Sequence, residues 1–253
     1  MTVHFEARER LAVLTLDRPE ARNAVDHQLA VDLEAAIDRF EADDDLWTGL
    51  LCAKGPVFCA GADLKAVAAG KANLTTERGG FAGIVRRDRT KPIIAVVEGP
   101  ALAGGCEVVL SCDLVVAGAD ARFGLPEVKR SLIANAGGLL RLPKSLPRNL
   151  AMEMALTGEP IDAATAHRHG LVNRLAAVGE AFDTAVDLAD LINANAPLAV
   201  RASRRVVTEG ASMQEVAGFA LSHEASIEVH RSEDFKEGPK AFVEKRSPKW
   251  KGR

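Results

Sequence analysis

A chain of 253 residues with 47% hydrophobic and 26% charged residues has enough apolar material for a sizeable core, and its composition is not that of a disordered protein. Its formal charge of −3 supplies no bulk attraction for nucleic acid or an anionic membrane. No stretch approaches the roughly 20 apolar residues that a bilayer span requires, so no membrane insertion is expected.

The N-terminal ten residues alternate polar and apolar positions without a cationic start and an apolar run, so a cytoplasmic location is expected. Val3 to Ala7 and Leu11 to Leu16, separated by Arg8-Glu9-Arg10, read as a β-hairpin. Asp26 reads as the N-cap of a helix carrying Leu29, Leu33, Ile37 and Phe40 along one face. Trp47 to Ala53, Ile93 to Val97 and Leu114 to Val116 are short β-rich runs, and Cys106 to Leu110 is helical in pattern. Strands and helices alternate in this half, which predicts an α/β layered core. From about Leu150 the pattern turns helical. Phe182, Ala185, Ala189 and Ile192 keep helical spacing, Pro197 opens a further helix, and Met213 to His230 reads as another, with no strand expected beyond about residue 175. One core with an appended helical layer fits better than two independent domains.

The four cysteines, Cys52, Cys59, Cys106 and Cys112, form no C-x-x-C pair and sit among small or apolar neighbours. They are expected to be buried and reduced. His167 and His169 are two apart, which on a helix directs them to different faces, and no third ligand lies near. No metal site is expected.

Three segments carry the chemistry. Phe58-Cys59-Ala60-Gly61-Ala62-Asp63-Leu64-Lys65 and Ala101-Leu102-Ala103-Gly104-Gly105-Cys106-Glu107 combine small residues, which bare the backbone, with a carboxyl. Phe123-Gly124-Leu125-Pro126-Glu127 supplies a second, separately placed carboxyl. Exposed N–H donors with two carboxyls suit acid–base chemistry beside a stabilised oxyanion. A phosphate loop does not fit, because Gly105 and Cys106 stand where Lys and Ser/Thr would follow Gly99-x4-Gly104. Neither G-x-G-x-x-G nor G-x-S-x-G occurs, which weighs against dinucleotide chemistry and a serine-hydrolase elbow.

The order, types and spacing of these segments resemble the crotonase superfamily, the enoyl-CoA hydratases and isomerases, over nearly the whole chain. The early loop Arg18-Pro19-Glu20-Ala21-Arg22-Asn23-Ala24 and the C-terminal segment Ser232 to Arg246 add to the resemblance. The ending Pro248 to Arg253, with Leu140-Arg141-Leu142-Pro143-Lys144, is most similar to the carnitinyl-CoA dehydratase branch. The resemblance implies a spiral of strand–strand–helix repeats over residues 1–190 and a helical trimerisation subdomain over 191–253. It implies an enoyl-CoA hydratase or dehydratase, in which Glu107 and Glu127 hold one water and the Ala62 and Gly104 amides form the oxyanion hole. Ala21, Arg22, Ala60, Asp63, Leu64 and Lys65 match the family stretches that touch coenzyme A. No cofactor beyond the coenzyme A of the substrate is implied, and the expected partners are an acyl-CoA and further copies of the chain, as a homotrimer or dimer of trimers, without nucleic acid. Carnitinyl-CoA dehydratase and enoyl-CoA isomerase are the neighbouring readings, and a non-catalytic acyl-CoA-binding protein is the rival of a different class. Retention of both glutamates favours hydration over isomerisation. Ser131, Ala134 and Asn135 stand where many family members carry Gly and Pro-Gly, leaving only Gly137-Gly138, and that departure bears on the acyl group.

Overall fold

The computed structural model describes residues 1–70 and 73–253. Strands β1 (Val3–Arg8) and β2 (Leu11–Leu16) form the expected hairpin, with Val3 opposite Leu16 and Arg8 opposite Leu11. Asp26 caps helix α1 (His27–Ala42), its carboxylate accepting the Leu29 N–H at 2.8 Å. The chain then runs through β3 (Thr48–Ala53), a short α2 (Leu64–Ala68), a minimal hairpin of β4 (Thr75–Thr76) and β5 (Gly80–Phe81), and β6 (Ile93–Val97). Next come β7 (Pro100–Leu102), α3 (Gly104–Ser111), β8 (Leu114–Gly118) and β9 (Arg122–Gly124), followed by α4 (Gly138–Ser145) and α5 (Arg148–Thr157). The last elements are β10 (Ile161–Asp162), α6 (Ala163–Arg168), β11 (Arg174–Ala176), α7 (Ala181–Asn193), α8 (Pro197–Gly210), α9 (Glu215–His230) and α10 (Asp234–Val243).

The main sheet has the order β1-β2-β3-β6-β8-β11 and is parallel from β2 onward. Both its faces are covered, which explains why β3 and β6 read as nearly continuous apolar runs. Alternate residues divide between two cores. Val13, Leu50, Ile94 and Val116 meet one side, where Ala181, Ala185 and Ala189 of α7 form a fully buried ridge. Leu14, Leu51, Ala95 and Val115 meet the other, with Leu29, Leu33, Ile37 and Phe40 of α1 and Val108 and Val109 of α3. Alanines at that spacing let α7 approach the sheet closely.

A second sheet, β10-β9-β7, stands beside the first. The helical character expected after Leu150 therefore needs a correction: β10 and β11 interrupt it, each two or three residues long and too short to leave a period in the sequence. Past β11 the described chain is helical, as expected. The boundary expected at residue 190 falls inside α7, just before its C-terminal end. Three of the four cysteines, Cys52, Cys59 and Cys106, are buried, and all four are free thiols, pushed up to about 11 or 12 by burial.

Helix α8 is fastened to this core by charge. Asp113, beyond the end of α3, accepts from Arg89 at 3.0 Å and from Arg204 of α8 at 2.8 Å. The C-terminal residues fold back in the same way. Buried Asp234 accepts the backbone N–H groups of Lys251 and Gly252, and Trp250 donates its indole N–H to the Ala194 carbonyl.

Candidate active site

The site lies beyond the C-terminal ends of β3 and β6, where loops from parallel strands meet. Asn23 organises the first loop. It is fully buried, accepts the Arg18 N–H, and donates through its amide to the carbonyls of Lys54 and Val57. The Ala60 N–H then donates to the Arg22 carbonyl, and a bridge joins Val25 to Ala62. A second bridge joins Cys59 to Ala101. The three segments singled out in the sequence thus converge, and Ala21, Arg22, Ala60 and Ala62 lie on adjoining loops.

Small residues are required where these loops touch. A Cβ on Gly61 would stand 2.8 Å from the Ala103 Cβ and 3.0 Å from the Gly104 nitrogen. One on Gly105 would run into the Cys59 carbonyl, and one on Gly104 into the ring of Phe81. Ala103 leads into α3 with φ 52° and ψ −129°, a backbone conformation that L-residues seldom adopt. That twist presents the first N–H of α3, on Gly104, beside the 60–62 loop. Among the described residues neither the Ala62 nor the Gly104 N–H has an acceptor within the protein. Two free amides on abutting loops, one at a helix N-terminus, form a place for developing negative charge.

Glu107 sits on the first turn of α3 and is 3% exposed. Its Oε1 accepts the Gly138 N–H at 2.9 Å. Burial pushes its carboxyl up to about 7, and the neighbouring charge of Glu127 adds to the rise. The Gly138 and Ala136 amides and the cation of Arg141 oppose it. Glu127, on a short 3-10 turn after Pro126, is raised as well, chiefly by burial. Its Oε2 is buried and has no hydrogen-bond partner among the described residues. Both carboxyls thus hold a proton more tightly than an exposed glutamate does.

Beside Glu127 lies a cavity of about 540 Å³. Its wall is aliphatic, from Leu125, Leu132, Ile133, Ala134, Leu142 and Met152 among others, with Arg148 as its one basic residue among the described residues. The segment whose sequence departs from the family pattern is therefore part of this wall.

Asp63 and Lys65 fare differently from the other expected contacts. The Asp63 carboxylate caps α2 through the Lys65 and Ala66 N–H groups and pairs with Arg18 at 3.2 Å, so its charge is already engaged. Leu64 and Lys65 are exposed on α2. Near the C-terminus, Arg246 makes a two-pronged bond to Glu237, and Lys251 and Arg253 pair with Glu233.

Phe81, Ala136 and Gly138 were not among the expected site residues. The Gly137-Gly138 pair was the available signal for the last two. Nothing near Phe81 in sequence marks its position over Gly104.

Fold and site together define a crotonase-type enzyme. Residues 6–253 match the Enoyl-CoA hydratase/isomerase family, and the chain belongs to it. It is 40% identical over 254 residues to enoyl-CoA hydratase EchA19 of Mycobacterium tuberculosis, covering 98% of this chain and 96% of the relative. It is 38% identical to the carnitinyl-CoA dehydratase of Proteus mirabilis, covering 100% and 99%. The crystal structure of an enoyl-CoA hydratase from M. tuberculosis superposes with a TM-score of 0.96 at 47% identity, covering 100% of this chain and 99% of that one.

Proposed function

We infer that the protein is a hydro-lyase that adds water to, or removes it from, the α,β double bond of an acyl-CoA thioester. One observation carries the details: a buried carboxyl, Glu107, and a half-buried one, Glu127, both with raised proton affinity and the second with an unpartnered oxygen among the described residues, lie close to two backbone amides that have no acceptor among those residues. The Ala62 and Gly104 N–H groups take the charge that develops on the thioester oxygen. Glu107 and Glu127 hold a water between them, deliver its oxygen to Cβ and exchange the proton at Cα. This chemistry needs no metal or redox group, because the amides bear the charge and the carboxyls move the protons. Ala21, Arg22, Ala60, Leu64 and Lys65 form the rim that receives the coenzyme, while Asp63 supports that rim through its cap and its ion pair. Residues 1–190 constitute the catalytic spiral and 191–253 the assembly subdomain of a cytoplasmic homotrimer or dimer of trimers.

A carnitinyl-CoA dehydratase is the second reading, favoured by the C-terminal resemblance. The cavity opposes it. A quaternary ammonium is held best over aromatic faces, and among the described residues this wall has none, being aliphatic apart from Glu127 and Arg148. An uncharged enoyl group matches it better.

A panel of enoyl-CoA thioesters, followed by loss of enone absorbance, tests both readings. Straight-chain enoyl-CoAs are expected to be hydrated with kcat/KM at least about 10-fold above crotonobetainyl-CoA, equivalent to ~1.4 kcal/mol. Calorimetric binding without turnover of any member would instead identify a non-catalytic acyl-CoA binder.

A further inference from the structure

We infer that Arg141 is the positioning residue of the acid–base pair, a guanidinium that ties the segment covering Gly104 to the loop gripping Glu107. The inference rests on the two-glutamate reading and assigns a residue that reading leaves unused.

Arg141 lies on α4, one turn after Gly138. One arm of its guanidinium donates to the Val85 carbonyl at 2.5 Å and the other reaches the Ala136 carbonyl at 3.5 Å. Val85 closes the turn that begins at Phe81, its N–H donating to the Phe81 carbonyl at 3.3 Å. The Phe81 ring covers Gly104. Ala136 opens the loop whose next residue but one, Gly138, binds Glu107 Oε1. Gly137 stands at φ +103°, where an L-residue is strained, and a Cβ there would meet the guanidinium and displace it. A single side chain thus joins the oxyanion side of the site to its acid–base side.

Its charge acts as well. Arg141 is half-buried and has no carboxylate at ion-pair distance among the described residues. A desolvated cation without such a partner is costly to keep for packing alone. The charged or titratable groups around it are Glu107, Cys112 and the cation of Arg89, and those around Glu107 are Glu127, Cys106 and Arg141. Arg141 is the cation among them that favours ionised Glu107.

The test compares Arg141→Met and Arg141→Lys with the unmodified full-length protein in pH–rate profiles of enoyl-CoA hydration. Hydration needs one proton on the glutamate pair, so activity falls as pH rises and the last proton leaves. Removing the cation makes that proton harder to lose. In Arg141→Met the alkaline limb is expected to move to higher pH, with kcat down about 10²-fold and KM little changed. Arg141→Lys keeps the charge but cannot span both carbonyls. Its limb is expected near that of the unmodified protein, with kcat lowered about 10-fold. Unchanged kcat in either folded variant overturns the proposal, as does a kcat loss in Arg141→Met with an unmoved limb. If Arg141→Met does not fold, the lysine variant decides alone by its kcat. Failure of the underlying reading shows separately, as an alkaline limb and full turnover that survive in Glu107→Gln.

Discussion

Burial raises the proton affinity of Glu107 and Glu127 alike, and the charge of Glu127 adds to the rise at Glu107. With Glu107 raised to about 7 by burial, its proton persists to near neutrality. The kcat/KM for hydration is therefore expected to fall on an alkaline limb near pH 7. Glu107→Gln and Glu127→Gln are each expected to lower kcat by about 10²-fold or more. The double variant should lose much less than the product, since both groups serve one water. Steady-state rates on the three variants, with their folds checked by circular dichroism, decide the matter. At this scale the sequence was informative through motifs in order: Glu107, Glu127 and Gly104 stood out only together with the neighbouring segments, since each taken alone reads equally well as a structural residue. The roles of Phe81, Arg141 and the amides of Ala136 and Gly138 were not legible, because they depend on which loop the fold sets beside them. Arg141 stood out only within the Leu140 to Lys144 stretch that resembles the carnitinyl-CoA dehydratase branch.

Elements were legible in proportion to their length and burial. The strands with apolar runs, β3 and β6, and the capped α1 follow directly from period and N-cap chemistry. The second sheet did not show, since β7, β9 and β10 are held by pairing partners distant in sequence rather than by any local pattern. The fastening of α8 to the core is of the same kind. Arg89, Asp113 and Arg204 are 3%, 18% and 14% exposed as side chains, so this is an interior triad rather than a surface pair. Asp113→Ala strands two desolvated cations and is expected to cost about 3–5 kcal/mol. Both arginines hold the Asp113 carboxyl below its ordinary value of 3.8, despite its burial. Because the folded value is depressed, the stabilisation is present above the ordinary carboxylate range and lost as pH falls through the folded value. Urea unfolding should thus separate the two proteins widely at pH 7 and progressively less as the buffer is taken below pH 4. An equal gap at every pH would remove Asp113 from the account of acid sensitivity.

The whole molecule leaves large apolar side chains on its helical end uncovered. Val207 on α8, Val216 and Phe219 on α9, and Phe242 and Val243 on α10 are all at least 70% exposed. Single exposed hydrophobes are ordinary, but five of them in the proposed assembly subdomain suit contact with further copies. Light scattering at micromolar concentration is expected to give three or six copies of the 26.9 kDa chain. Replacing Val216 and Phe219 with aspartate should lower that mass. A monomeric unmodified chain would remove the assembly from the proposal.

One feature of the site bears on how the chain can change. Ala103 holds a conformation that costs an L-residue roughly 1–3 kcal/mol, whereas glycine enters it freely and loses only about 0.4–1 kcal/mol through its looser unfolded state. Ala103→Gly is therefore expected to gain about 1 kcal/mol, a rise in Tm of about 2–4 °C for a chain of this size, with turnover retained because the Gly104 amide keeps its place. Differential scanning calorimetry beside the hydration assay reads both. Alanine and glycine codons differ at a single base, so this heat tolerance lies one mutational step away, held in reserve at the entrance to the catalytic helix.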